Sequence, residues 1–127
     1  MSNDDLVQYR ISRAYETLEE VLLLAKENHW NAVANRLYYS CFYIINALLI
    51  KNRKSFSSHN GVKSEFHKSF VKTDLVSKKS GKLYNRIFNL RQEGDYIDFK
   101  RFEKDDIEPY IVEVKEFLNE IDILISK

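Results

Sequence analysis

Helix breakers are scarce in this chain: 127 residues include three glycines and one proline. So few excludes collagen-like and turn-rich all-β architectures and favours long, unbroken helices. Cysteine is scarcer still. The lone Cys41 sits among apolar neighbours, so no disulfide can form within the chain, and a buried thiol in a reducing compartment is expected. Uninterrupted apolar runs are also missing. The longest apolar region, Val33 to Ile50, is broken by Asn35, Arg36 and Asn46 and is too polar to cross a bilayer. The N-terminal residues Met1-Ser2-Asn3-Asp4-Asp5 are acidic where a signal peptide is basic. A cytoplasmic protein with no membrane contact is therefore expected.

Common enzyme signatures are absent too. The sequence has no glycine-rich phosphate loop, no paired-cysteine ligand set and no His-Glu-x-x-His. His29, His59 and His67 are not spaced to share one helical turn, so neither a metal nor an organic cofactor is expected. Cys41 falls mid-helix on an apolar face, which argues against a Cys/His hydrolase.

What is present is helical periodicity. Val7, Ile11, Ala14, Leu18, Val21, Leu22 and Ala25 recur at spacings of three and four, predicting a first helix over about 5–26. A second, over about 31–51, carries apolar residues on more than one face and is expected to be central, with surplus surface for a partner. Asn52 to Ser58 reads as a basic loop, after which Ser57 or Ser58 caps a short helix through Val62, Phe66 and Phe70. Thr73-Asp74 offers a cap or turn before a fourth helix that Gly94 would stop. Asp105-Asp106, with Pro109 in the first turn, opens the last. No segment alternates with the period of a strand. The fold expected is all-α, an up-and-down four-helix bundle with a short extra helix, forming one domain over 1–127.

Charge is unevenly spread. Between Lys51 and Lys82 nine Lys/Arg face two acids, a balance of +7, whereas Gln92 to Lys127 holds five Lys/Arg and eleven acids, a balance of −6. The middle segment, Lys63 included, is either a solvated loop or a surface able to receive phosphates. Two polar clusters interrupt the apolar helices. Arg91-Gln92-Glu93-Gly94-Asp95-Tyr96 places a cation, two carboxylates and a phenol within six residues. Arg91 and Asp95 lie one helical turn apart and share a face. A guanidinium suits a phosphate, Asp95 could orient it or act as a base, and Tyr96 could donate a hydrogen bond or stack on a base. The structural alternative is an ion pair at a helix end with Tyr96 packed beneath. Asn35-Arg36-Leu37-Tyr38-Tyr39 is the second cluster; its plain reading is an arginine paired to an acid at the core edge and tyrosines filling the bundle.

Asn35-Arg36-Leu37-Tyr38-Tyr39-Ser40-Cys41-Phe42, His59-Asn60-Gly61-Val62, Phe70-Val71-Lys72 and Arg91-Gln92-Glu93-Gly94-Asp95-Tyr96 together resemble the small stand-alone HEPN-domain proteins of bacteria and archaea. The likeness runs from about Tyr9 to Phe117. It implies a HEPN-like bundle that forms a homodimer across helices two and four, with the arginine motifs facing one cleft. It also implies an RNA- or nucleotide-binding protein: either the ribonuclease-like toxin component beside a minimal nucleotidyltransferase antitoxin, or a non-catalytic partner of such an enzyme. Arg91, Asp95, Tyr96 and His59 would be the catalytic set of a metal-independent endoribonuclease, and Arg36, Tyr39, Asn35 and Lys63 would contact nucleotide or RNA. One departure stands out. The family ribonuclease motif places a histidine after the arginine at a position corresponding to 96–98, and here those residues are Tyr96, Ile97 and Asp98. The tyrosine modified in toxins silenced by the nucleotidyltransferase lies two residues beyond that histidine, a register Tyr96 does not occupy.

Overall fold

The computed structural model describes residues 2–54 and 56–127. Met1 of the acidic N-terminus and Ser55 of the expected basic loop lie outside the described residues.

Helix α1 (Asn3–Lys26) starts from a capping box, in which the Ser2 hydroxyl accepts from the Asp5 amide and the Asp5 carboxylate accepts from the Ser2 amide. It ends at Lys26, capped by Glu27, and the next residue, Asn28, has a φ of 59°, the left-handed conformation an asparagine tolerates. The chain returns through a short turn into α2 (Trp30–Lys51), which packs against α1, α4 (Lys78–Tyr96) and α6 (Pro109–Ile125). Ser58 caps α3 (His59–Phe66), its hydroxyl accepting from the Gly61 amide at 2.9 Å. A π-helical turn, His67–Val71, follows, and a four-residue α5 (Lys104–Ile107) precedes α6. The architecture is all-α, four long helices with short extra ones, as the periodicity predicts.

Three boundaries differ from the sequence reading. Thr73-Asp74 does not cap α4. The Thr73 hydroxyl turns back onto the Ser69 carbonyl at 2.9 Å, closing the preceding turn. The cap of α4 is Ser77, which accepts from the Ser80 amide. Glu120 of α6 ties this cap down by accepting from the Ser77 amide at 2.8 Å and from both serine hydroxyls. Burial alone would raise the Glu120 carboxyl, but these donors outweigh it and its pKa falls. Gly94 does not stop α4 either; the helix continues to Tyr96. A Cβ at Gly94 would lie 2.9 Å from the Phe102 ring, so the glycine admits a side chain from the next segment. Pro109 opens α6 rather than extending one helix from Asp105.

The second helix is central, but the surplus apolar face expected of it is largely covered by its own chain. Contrary to the expectation that this region is too polar, its length and composition would suffice to cross a membrane, yet 67% of the qualifying window is buried, which is the pattern of a core helix. The exposed large apolar side chains fall elsewhere: on α1, on α6, at Leu75 and at Tyr96, Ile97 and Phe99. What α2 leaves half-buried is an aromatic stripe, Tyr39, Phe42 and Tyr43. Cys41 is wholly buried, and burial pushes its thiol pKa up.

Candidate functional site

The two polar clusters meet. On α4, Tyr84, Phe88 and Arg91 recur at spacings of four and three and so face α2 together. Arg91 is only 5% exposed, a rare place for a charge. Its guanidinium carbon sits 4.7 Å from the Tyr38 ring centre and 5.7 Å from those of Tyr39 and Tyr96. Stacking on aromatic faces compensates part of the lost hydration. The ion pair with Asp95 is loose, Nη1 to Oδ2 at 3.7 Å, and the buried Nε has no hydrogen-bond partner among the described residues. Hydrogen-bonding capacity is thus left over on a buried cation, and buried donors are normally satisfied.

Around Arg91 a polar relay spans the two helices. Asn35 Nδ2 donates to Asp95 Oδ2 at 2.9 Å, and Asn35 Oδ1 accepts from Arg36 Nε and Nη2 at 3.0 and 2.8 Å. Arg36 also reaches Glu20 of α1 at 3.4 Å and lies over the Tyr39 ring at 5.1 Å. Its environment therefore includes the core-edge acid of the plain reading, plus a link to Asp95. Tyr96 does not pack beneath the ion pair; it is 72% exposed.

His59, distant in sequence, arrives from the first turn of α3. Its Nδ1 lies 2.7 Å from the Tyr38 hydroxyl, and its ring lies 4.6 Å from Phe42 and 5.9 Å from Tyr39. Burial and the nearby Arg91 charge lower its pKa. Lys63, one turn further along α3, sits at one remove, its Nζ 4.6 Å from the Phe88 ring. The structure therefore gathers Arg91, Asp95, Asn35, Arg36, Tyr39 and His59 at one junction, with Tyr96 and Lys63 at its margins. Sequence reasoning gave Tyr38 a bundle-filling role and Tyr84 no role in the site. Tyr38 is fully buried, and burial raises its hydroxyl to about 12 despite Arg91. The Tyr84 hydroxyl lies 3.5 Å from it. Their signal was present: Tyr38 is three residues after Asn35, and Tyr84 seven before Arg91.

Beyond this junction, Asn31 fixes the segment after α4, donating to the Lys100 carbonyl at 2.9 Å and accepting from the Phe102 amide at 2.8 Å. A cavity of about 890 Å³ lies there, between the α1–α2 turn and residues 97–104, and does not include Arg91.

His67 also has a lowered pKa, chiefly through burial, although its contact with Asn85 opposes the shift. Both histidines thus resist protonation in the folded state, whereas the unfolded chain takes up protons near pH ~6.5. Stability present above that pH should be lost as pH falls through the lowered folded values. Urea midpoints across this window should drop in the wild type and drop less in the His59→Gln/His67→Gln double variant.

A helical bundle with an arginine-centred polar junction between α2 and α4 defines the class. A family model described as the HEPN domain matches residues 7–124, and the chain belongs to that family. It is 39% identical over 123 residues to a UPF0332 protein of Thermotoga maritima, covering 97% of this chain and 93% of that relative. It is 31% identical over 118 residues to a protein of Methanocaldococcus jannaschii named "Putative toxin", covering 92% and 80% respectively.

Proposed function

We propose that the junction binds the phosphates of RNA or of a nucleotide, and that the chain is the ribonuclease-like, toxin component of a pair with a minimal nucleotidyltransferase. The observation that carries this reading is Arg91: a buried guanidinium on three aromatic rings, loosely paired and with Nε unpartnered. A guanidinium held this way is preorganised for a phosphate or for the charge of a phosphodiester transition state. The likeness to a relative named as a toxin supports the toxin assignment. A second reading, a non-catalytic nucleotide- or RNA-binding partner of the nucleotidyltransferase, is favoured by the missing motif histidine and by the engagement of His59 Nδ1 with Tyr38. Incubating the metal-free protein with labelled RNA separates the two: cleavage products support the first, and binding without cleavage the second.

Phosphate contacts release counterions, so RNA affinity should fall steeply with salt. Reversing two or three of Lys51, Arg53, Lys54, Lys63 and Lys68 should weaken binding to unrelated sequences about equally, because such contacts carry no base information. Fluorescence anisotropy at several salt concentrations measures both. No detectable affinity at low salt would remove the nucleic-acid reading.

The half-buried aromatic stripe of α2 supports a two-fold homodimer that brings two Arg91 sites together. Sedimentation at micromolar concentration should give about twice the 15.1 kDa chain mass; a monomer would exclude a shared cleft.

A further inference from the structure

His59 can act as a base only if a ring nitrogen has a free lone pair, and the packing around it decides which nitrogen that is. The Tyr38 hydroxyl, on a wholly buried side chain, has two neighbours: His59 Nδ1 at 2.7 Å and the Tyr84 hydroxyl at 3.5 Å. Tyr84 is also fully buried, and the Tyr38 oxygen is its hydroxyl's one hydrogen-bond partner among the described residues. Three protons compete for this short chain. If Tyr84 donates to Tyr38 and Tyr38 donates to Nδ1, every hydroxyl proton finds an acceptor. If Nδ1–H donates instead, one buried tyrosine O–H has none, and buried donors are rarely left so. A doubly protonated ring is opposed by burial and by Arg91.

The groups facing the imidazole reinforce this. From α2 come Tyr38, Tyr39 and Phe42, and from α4 the Arg91 charge; Lys63 is one turn away on its own helix. The charge that acts on the ring is that of Arg91. Arg91 and His59 both approach the same pair of rings. The guanidinium is 4.7 and 5.7 Å from the centres of Tyr38 and Tyr39, and the imidazole centre is 5.6 and 5.9 Å from them. The His59 Nε2 makes no hydrogen bond among the described residues and is not among the buried unpartnered atoms.

We propose that Tyr38 is a positioning residue that holds His59 as the neutral tautomer protonated on Nε2, so that the ring offers a phosphate oxygen a second donor beside Arg91 and offers no base. The phosphate ligand rests on the function proposed above, whereas the tautomer belongs to the free protein. The consequence is a site built to hold a phosphate group more effectively than to deprotonate the 2′-hydroxyl beside it.

Long-range proton–nitrogen correlation spectra of histidine-labelled, ligand-free protein near neutral pH read the tautomer directly. His59 should carry its proton on Nε2, and Tyr38→Phe, which removes a donor to Nδ1, should raise the His59 pKa. A proton on Nδ1, or a pKa unmoved by Tyr38→Phe, overturns the role of Tyr38. Binding of a fluorescein-labelled oligouridylate tests the donor. His59→Ala should lose about tenfold in affinity, and His59→Gln, whose amide can donate from nearly the Nε2 position, should recover most of that loss. Equal losses in both variants would overturn the donor role. A wild type with the expected tautomer but no affinity for the oligouridylate or for inorganic phosphate would overturn the phosphate site and leave the tautomer assignment standing.

Discussion

Arg91→Ala is expected to weaken binding of single-stranded RNA by about 10- to 100-fold, the usual worth of a charge-assisted hydrogen bond, with helical content retained. Any metal-independent cleavage should fall by about 10²–10³, the typical cost of losing a preorganised donor to transition-state charge. The reasoning starts from burial. Arg91 is 5% exposed and held among Tyr38, Tyr39 and Tyr96, so its guanidinium is oriented before an anion arrives. Arg91→Lys keeps the charge but not the planar fork that stacks on the rings, and should recover only part of the loss. With the family histidine position occupied by Tyr96, Ile97 and Asp98, wild-type cleavage is expected to be slow. Anisotropy gives the affinity, a gel of end-labelled RNA gives the cleavage, and circular dichroism checks the fold. Robust cleavage surviving Arg91→Ala would place the chemistry elsewhere.

Phe66→Ala should cost about 3–5 kcal/mol of stability, as large-to-small changes in a closed core do, against a total of about 5–15 kcal/mol for a native protein of ordinary stability. Phe66 is fully buried where α3 passes into the π-helical turn, edge-on to Tyr84 at 5.6 Å and to Phe117 at 6.0 Å. Those contacts join α3 to α4 and α6. The cavity would also loosen the support of His59 and the stack of Tyr84 under Tyr38, at 5.9 Å. Urea unfolding should therefore show the fall in stability, and the His59 resonances should broaden in the same variant. A change below about 1 kcal/mol would mean that the site closes up with little cost, contrary to the packing described.

Much of the fold could be read from the chain alone, because helical periodicity is a local property. The stripe through Val7, Ile11, Ala14 and Leu18, the breadth of the second helix and the Ser58 cap all depend on near neighbours, and the structure has them. Boundaries set by distant partners were not legible. Ser77 rather than Thr73 caps α4 because Glu120, more than forty residues later, accepts from it. Gly94 sits inside a helix because Phe102 folds back over it. The coverage of α2 depends likewise on how α1, α4 and α6 close around it, which its own pattern does not state.

The site divides along the same line. Sequence spacing alone placed Arg91 and Asp95 one turn apart and marked Asn35 and Arg36 as polar intruders in an apolar helix, since a fixed helical pitch is enough for that. Only tertiary packing joined the two clusters through Asn35 and Asp95, set Arg91 on Tyr38, and brought His59 from a separate helix to the Tyr38 hydroxyl. The loose ion pair and the unpartnered Nε of Arg91 are likewise tertiary facts. A hydrogen bond is decided by angstroms between atoms many residues apart, whereas periodicity is decided by the pitch of one helix.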